Sequence, residues 1–312
     1  MEPSQTNVPR KVTRVAIIGA GDIGQAVGHL LEKAGTARVE FWDKMPDKVP
    51  HQRSLQDVVA PVKIVFFCLP SWVFREAVMS CLPHMRKGTV VVSLAKGIEK
   101  DTNKTIDQLL EELLPQGMSF ALLAGPMLAK EISEDLGGAA TVGTRKQSTY
   151  TKLAELFAES GLRTEFSADV HGIALTSVMK NVYAFSLGIA DGLGWGGNKK
   201  GWLTARAIEE MQAVLKVMGA KKGTAVSPAG LADFIATGFS CYSRNRQTGD
   251  ELVRTGQCNL QSEGVSSFSA FMTLLNGETA PYPLVHALKR VLVDHEDACL
   301  VFDSFFHETR HA

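Results

Sequence analysis

The sequence predicts an α/β protein, in which a Rossmann domain with a doubly wound parallel sheet precedes an all-α domain. Short apolar runs alternate with helical patterns up to about residue 168, as in parallel sheets that are covered on both faces. Beyond that point strand patterns disappear and helical patterns dominate to the end. We therefore predict a flexible tail over residues 1–11, a dinucleotide-binding domain over residues 12–168 and a helical domain over residues 169–312.

The first predicted strand and helix flank a glycine motif. An apolar strand over residues 15–18 is followed by Gly19, Gly21 and Gly24 with G-x-G-x-x-G spacing, and an amphipathic helix comes next. Glycines at these positions make a tight turn, let the backbone approach a pyrophosphate and let helix and strand pack closely. The helix N-terminus then faces the phosphates. The motif predicts a dinucleotide site.

The second strand, in "RVEFWD", ends at Asp43. An acidic residue there can hold the ribose hydroxyls of the adenosine and would repel a 2′-phosphate, which favours NAD over NADP. Lys44 and Lys48 follow closely and weaken that preference, so NADP is not excluded. The alternative is a glycine-rich turn without a ligand, and the strand–turn–helix–strand–acid order argues against it.

Four more strands are predicted over residues 64–70, 89–95, 120–125 and 139–143. Lys96-Gly97 lies at the end of the strand over residues 89–95, and Gly125-Pro126 lies at the end of the strand over residues 120–125. In parallel sheets ligands bind beyond the carboxyl ends of the strands, so both pairs are candidates for the site. From the spacing alone, a solvated loop lysine is an equally good interpretation of Lys96.

The second half opens with a long apolar helix over residues 171–192, whose centre carries Lys180. A buried lone charge is costly unless it is paired or used, although a lysine can also reach solvent along its own stem. Asp233 and Thr237, four apart, share a helix face. Residues 243–246, "SRNR", are predicted as a polar turn suited to a phosphate or carboxylate, with an ordinary charged loop as the alternative.

Three further helices are predicted over residues 202–220, 265–277 and 283–306, and Glu263 with Gly264 indicates a helix start.

The chain has 312 residues, enough for two domains, and its 33 basic residues balance 33 acidic ones. That balance gives no basic surplus for nucleic acid. The five cysteines are scattered and the histidines lack metal-site spacing, so we expect no disulfide framework and no metal site. Without a signal-like or membrane-spanning run, a cytoplasmic protein is expected.

These pieces in this order resemble NAD(P)-dependent glycerol-3-phosphate dehydrogenase. The resemblance runs through "GAGDIGQAVG", "AKGIE", "GPMLAKE", "VMKNVYAFSLGIADGLGWGGNKKGWLTARAIEEM", "GLADF..T", "SRNR" and "SEG", which extend over nearly the whole chain. It implies a helical domain like that of 6-phosphogluconate dehydrogenase, a homodimer, and reversible hydride transfer between NAD(P)H and dihydroxyacetone phosphate, giving sn-glycerol 3-phosphate.

The resemblance also implies roles for individual residues. Lys180 would donate a proton to the substrate carbonyl, with Lys96 as the second active-site lysine and Asp233 and Thr237 in support. Burial and the charge of Lys96 would lower the pKa of Lys180, and Asp233 would limit that fall. The substrate would contact Lys96, Gly125, Lys180, Asp233, Ser243, Arg244 and Asn245. The cofactor would contact Gly19, Gly21, Asp22, Ile23, Gly24, Asp43, Lys96, Ala129, Arg244 and Glu263.

Some features depart from the family pattern. The segment between residues 43 and 64 is short, and Met127 stands where relatives often have a small hydroxyl residue. Trp195 and Trp202 interrupt a well-matched stretch. The first two features leave open a dehydrogenase of another small phosphorylated or carboxylated hydroxy compound. A non-catalytic NAD(H)-binding protein is the remaining alternative, although every candidate catalytic residue is present.

Overall fold

Seven strands form one sheet in the order β2-β1-β3-β4-β5-β6-β7. The computed structural model describes residues 12–308, so the tail predicted over residues 1–11 lies outside the described residues. The strands are β1 (Thr13–Ile18), β2 (Ala37–Trp42), β3 (Ile64–Phe67), β4 (Val90–Ser93), β5 (Ser119–Ala124), β6 (Gly138–Gly143) and β7 (Leu162–Ser167).

The sheet is parallel from β2 through β5, but β6 pairs with β5 in the antiparallel direction. A parallel neighbour needs a long crossover that carries the chain back along the sheet. The connection after β5 holds only the short helix α5 (Ala129–Ser133), and the chain then returns directly as β6. The sequence analysis missed β7, because this edge strand holds only two apolar residues, Leu162 and Phe166, instead of an apolar run.

Helices cover both faces of the sheet. Val15 and Ile17 of β1 enter one apolar core, and Ala16 and Ile18 enter the other, as the period-two alternation of a strand requires. The remaining helices of this half are α1 (Asp22–Ala34), α2 (Leu55–Val59), α3 (Phe74–Cys81), α4 (Ile106–Leu113) and α6 (Gln147–Leu156). The predicted α/β class with a doubly wound sheet is therefore confirmed, with a parallel-dominated sheet.

The second half is helical, and its first helix is its centre. The helices are α7 (Val170–Gly192), α8 (Gly197–Val217), α9 (Asp233–Phe239), α10 (Arg244–Thr255), α11 (Glu263–Leu274), α12 (Pro283–Leu292) and α13 (Ala298–Glu308). Packing against α8, α9, α10 and α11 buries almost every side chain of α7. By length and composition α7 could cross a membrane, but its most apolar stretch lies wholly inside the protein.

Two predicted elements differ from the structure. The single helix predicted over residues 283–306 is wrong: it is α12 and α13, separated by a turn in which His295 has a left-handed φ of 56°. The two unusual tryptophans gain a structural explanation from α13, because Trp195 packs on Phe302 and Trp202 packs on Phe305. The division of the chain into two domains at residue 168 stays a prediction, with β7 ending at Ser167 and α7 beginning at Val170.

Candidate active site

A cleft of about 730 Å³ lies where the carboxyl ends of the parallel strands face the helical half. One wall is the glycine loop after β1, and the end of β4 and the start of α5 form the floor. The opposite wall comes from α7 and from the first residues of α10 and α11. This is the position at which open α/β sheets bind ligands. Most of the residues predicted for the site meet here.

The glycine loop has the geometry that its spacing predicts. Gly19 has a left-handed φ of 101°, and a Cβ there would lie 2.6 Å from the Cys68 carbonyl oxygen. A Cβ on Gly24 would lie only 1.9 Å from the Gly19 carbonyl oxygen, so helix α1 can approach β1 only with glycine there. Gly21 precedes α1 and has nothing within 4 Å of its Cβ position. The loop is open there, beside Asp22 and Ile23 at the start of α1, which also line the cleft.

Asp43 follows β2 and lies in the cleft, with only 7% of its surface exposed. Its Oδ2 accepts a hydrogen bond from the Ala20 backbone N–H at 2.8 Å, and its Oδ1 accepts one from the Met45 backbone N–H at 2.9 Å. Lys48 places its Nζ 3.8 Å from Oδ2. The carboxylate therefore ties the glycine loop to the end of β2, in addition to facing the cleft.

Lys180 is paired inside the protein, which explains its position in an apolar helix. Only 4% of the residue is exposed, and its Nζ donates to Thr237 Oγ1 at 2.8 Å and to Asp233 Oδ1 at 3.2 Å. Burial lowers the pKa of Lys180 to about 8. The carboxylate of Asp233 opposes that fall, and the positive charge of Lys96 adds to it.

Lys96 reaches the same carboxylate from the other half of the chain. It follows β4, and its Nζ donates to Asp233 Oδ2 at 2.7 Å and to the Gly125 carbonyl oxygen at 3.4 Å. Burial raises the pKa of Asp233, but the two ammonium groups outweigh burial and hold that pKa below its usual value. Two cations share one anion, so an excess positive charge and free N–H donors remain at this end of the cleft.

A chain of amide hydrogen bonds supports this centre, and the sequence analysis missed its first member, Asn181. Asn181 Nδ2 donates to the Lys96 carbonyl oxygen at 3.1 Å, and its Oδ1 accepts from Asn245 Nδ2 at 2.9 Å. Asn245 Oδ1 in turn accepts from the Gly264 backbone N–H at 2.8 Å. Asn181 follows Lys180 directly, but only the tertiary contacts distinguish it from an ordinary helix residue.

The prediction of a polar turn at residues 243–246 is wrong, because α10 begins at Arg244. Ser243 is the N-cap, and its Oγ accepts from the Arg246 backbone N–H at 3.3 Å. Arg244 is exposed beside the cleft, and within residues 12–308 its guanidinium has no ion pair. An unpaired guanidinium at a helix N-terminus favours an anion.

The cofactor candidates Glu263 and Ala129 both line the cleft, at the starts of α11 and α5. Glu263 accepts hydrogen bonds from Ser71, which the sequence analysis did not identify. Burial raises the pKa of Glu263, and the hydrogen bonds from Ser71 oppose that rise. The Ser262 hydroxyl also lines the cleft, is buried, and has no hydrogen-bond partner within residues 12–308. Met127 contributes an apolar wall and is 7% exposed.

Comparison with known proteins shows the family. The profile of the NAD-dependent glycerol-3-phosphate dehydrogenase N-terminus matches residues 43–150, and that of the C-terminus matches residues 169–302. Glycerol-3-phosphate dehydrogenase [NAD(P)+] of Agathobacter rectalis is 30% identical, over 92% of this chain and 94% of its own length. The chain belongs to the glycerol-3-phosphate dehydrogenase family. The Syntrophotalea carbinolica enzyme of the same name is also 30% identical, over 91% of this chain and 94% of its own length.

Solved structures agree on the fold of this glycerol-3-phosphate dehydrogenase family member. Glycerol-3-phosphate dehydrogenase of Coxiella burnetii superposes with a TM-score of 0.86 at 24% identity, over 95% of this chain and 99% of that one. A ketopantoate reductase of Ralstonia eutropha superposes with a TM-score of 0.60 at 20% identity, over 95% and 100% of the two chains. The predicted family and the predicted NAD(P)-dependent oxidoreductase acting on a CH–OH group are confirmed.

Proposed function

We propose that this protein interconverts dihydroxyacetone phosphate and sn-glycerol 3-phosphate with a nicotinamide cofactor. The observation that supports this reaction best is the pair of ammonium groups on Lys96 and Lys180, which share the buried carboxylate of Asp233. Lys96 lines the cleft, and so does Arg244, whose guanidinium has no ion pair within residues 12–308. Lys180 lies buried behind Lys96 and is joined to it through Asp233. A ketone oxygen and a remote phosphate are the two groups that these cations suit.

The residues of the cleft fit a dinucleotide. Gly21 leaves open space where a backbone must approach a pyrophosphate, and the α1 N-terminus faces that space. The Ser262 hydroxyl, which has no hydrogen-bond partner within residues 12–308, can satisfy a polar group of the cofactor. Asp22, Ile23, Ala129 and Lys96 would hold the cofactor together with these residues. When bound, the nicotinamide supplies the hydride for reduction or accepts it in the reverse direction.

Lys180 is the proposed proton donor to the carbonyl oxygen. With a pKa of about 8, its ammonium is largely protonated at neutral pH yet is more acidic than a solvated lysine. Thr237 and Asp233 accept hydrogen bonds from its Nζ and fix the direction of the remaining N–H. Lys96 adds a second positive charge close to the oxygen on which negative charge develops.

Arg244 is the proposed phosphate ligand, because its guanidinium has no ion pair within residues 12–308 and it is the first residue of α10. A cation and a helix N-terminus both favour a bound anion. Ser243 would act on the substrate through this helix start, which its hydroxyl caps. Asn245 uses both atoms of its amide on Asn181 and Gly264, so its proposed contribution to substrate binding is to hold Arg244 in place. Gly125 would line the substrate site and fix Lys96 through its carbonyl oxygen.

NAD(H) is the proposed preferred cofactor, because a carboxylate at the end of β2 disfavours the phosphate of NADP(H). Lys48 lies close enough to Asp43 to reduce that preference without reversing it. Use of NADP(H) therefore stays open, and titration of the protein with NADH and NADPH would decide it. Cytoplasmic location and homodimeric assembly stay predictions from the resemblance.

A second candidate, a dehydrogenase of another small phosphorylated or carboxylated hydroxy compound, is favoured by the apolar wall that Met127 gives the cleft. Oxidation of NADH should be followed with dihydroxyacetone phosphate, unphosphorylated dihydroxyacetone and small keto acids. We expect dihydroxyacetone phosphate to give the largest kcat/KM. A larger value with a keto acid would establish the second candidate, and NADH binding without any turnover would indicate a binding protein.

Arg244→Ala tests the phosphate assignment within the same panel. Loss of a charge-assisted contact should lower kcat/KM for dihydroxyacetone phosphate by about 10- to 100-fold. The unphosphorylated ketone should be affected much less. Arg254→Ala is the matched control, since Arg254 is an exposed arginine on the same helix that pairs with Asp250. Equal losses on both ketones would show that Arg244 does not bind the phosphate.

A further inference from the structure

The strongest unassigned feature of the cleft is a contact that joins its two walls. Glu263, the first residue of α11, accepts two hydrogen bonds from Ser71, which follows β3. Its Oε1 accepts from the Ser71 backbone N–H at 2.8 Å, and its Oε2 accepts from Ser71 Oγ at 2.7 Å. Ser71 is only 4% exposed, so water competes little for these hydrogen bonds.

The loop that carries Lys96 packs directly against the Ser71–Glu263 contact. A Cβ on Gly97 would lie 2.3 Å from Ser71 Oγ and 2.4 Å from Glu263 Oε2, so only glycine fits without displacing the pair. The next residue of the loop, Ile98, donates its backbone N–H to Ser267 Oγ, one turn further along α11, at 3.3 Å. Displacement of α11 from the β3 end would therefore displace the loop that presents Lys96.

The charge of Glu263 is not used in an ion pair. Within residues 12–308 no basic side chain lies within 4 Å of its carboxylate, and the donors that satisfy it are the neutral groups of Ser71. Hydrogen bonds to a charged group are stronger than those between neutral groups, and a bidentate pair also fixes the relative orientation of its two partners. The contact is suited to fixing geometry between two elements that are far apart in sequence.

We propose that the Ser71–Glu263 pair is a latch between the two walls of the cleft and that Ser71 is a positioning residue for the reaction. The latch fixes the Lys96 loop and the start of α11 relative to the sheet, so the cations face the substrate carbonyl at the correct distance. This inference rests on the proposed function for its kinetic consequences. It differs from a role of Glu263 as a direct cofactor ligand, because that role does not involve the Ser71 hydroxyl.

The test is a double-mutant cycle with Ser71→Ala, Glu263→Ala and the double variant. Ser71→Ala removes one donor and keeps the backbone N–H. Each single change should lower kcat by about tenfold, because a small displacement of a catalytic group has a large effect on rate. The double variant should lose no more than the worse single variant, since both changes break one contact. Losses that multiply, or a Ser71→Ala enzyme within twofold of wild type, would overturn the latch.

Two further variants separate positioning from general damage. Glu263→Gln keeps an oxygen for the Ser71 N–H and offers an amide donor to Ser71 Oγ, so it should retain more activity than Glu263→Ala. Ser80→Ala is the matched serine control, because Ser80 is exposed on α3 and donates only to the Glu76 carbonyl oxygen. Its kcat should equal that of wild type. If Glu263→Gln is as slow as Glu263→Ala, the charge matters rather than the latch, and the proposal fails.

The same variants should be titrated with NADH, and hydrogen exchange should be measured over residues 70–76 and 263–267. The latch predicts faster exchange in both segments for Ser71→Ala and for Glu263→Ala, and non-additive losses of NADH affinity. If wild type turns over no dihydroxyacetone phosphate, the proposed reaction fails, but these two measurements still support or reject the latch. Unchanged hydrogen exchange over residues 70–76 in the Glu263→Ala variant would reject the latch.

Discussion

The most informative perturbation is Asp233→Asn, because Asp233 is the anion that Lys96 and Lys180 share. The change keeps the shape of the side chain and removes its charge. Asp233 raises the pKa of Lys180, whereas burial and Lys96 lower it, and the balance is about 8. With the carboxylate gone, only the two lowering influences remain, so the pKa of Lys180 should fall well below 8.

The size of the effect follows from that balance. An opposite charge in contact typically changes a pKa by about 1 to 3, so the Lys180 ammonium of the variant should titrate between about pH 5 and pH 7. At pH 7 about nine-tenths of Lys180 is protonated in wild type, against about one half to one hundredth in the variant. Ketone reduction, which needs the protonated amine, should therefore fall by about 2- to 100-fold at pH 7.

The assay is the pH profile of kcat for ketone reduction, from pH 5 to pH 9.5. The wild-type rate should decline as pH rises through about 8, and the decline of Asp233→Asn should begin at lower pH. Asp135→Asn is the matched control, because Asp135 is an exposed carboxylate that pairs with Lys33. A variant whose rate is low but declines at the wild-type pH would refute the assignment of this titration to Lys180.

Three other outcomes are expected. Gly24→Ala should unfold at a clearly lower temperature and lose NADH binding, because its Cβ would collide with the Gly19 carbonyl oxygen; wild-type stability would show that the loop can yield. Gly21→Ala should keep wild-type thermal stability and still lose NADH affinity in a fluorescence titration, because its Cβ enters open cleft; unchanged affinity would remove the loop from the cofactor site. The hydrogen bond to Asp107 raises the pKa of His171, so its stabilisation is present below about pH 6.5 and disappears as pH rises through the folded-state pKa. His171→Gln should therefore be destabilised by about 0.5 kcal/mol at pH 5.5 and by less at pH 8.5 in chemical denaturation, a value kept small because the ring is partly exposed.

Features encoded within one segment were predictable from the sequence. The glycine motif predicts its own turn, because a Cβ on Gly19 or Gly24 would collide with nearby backbone, whereas Gly21 leaves the loop open. The burial of α7 follows from its apolar residues on every face. The lone charge at Lys180 then pointed to a paired or functional lysine, and the structure places its partner, Asp233, on another helix.

Features that depend on contacts between distant segments were not predictable. The direction of β6 depends on how the short connection through α5 turns, and its apolar pattern is the same in either direction. Asn181 and Ser71 are ordinary residue types whose partners lie far away in sequence, 64 residues for Asn181–Asn245 and 192 for Ser71–Glu263. The start of α10 at Arg244 was missed because an N-cap serine and a turn serine have the same local signal.

The most direct test of the central claim compares wild type with Lys180→Ala in two measurements on the same samples. One is the consumption of NADH absorbance after addition of dihydroxyacetone phosphate, and the other is the dissociation constant of NADH without substrate. We predict that wild type consumes NADH, whereas Lys180→Ala binds NADH with similar affinity and consumes it at least 100-fold more slowly. A Lys180→Ala enzyme that turns over at a near wild-type rate would contradict Lys180 as the proton donor.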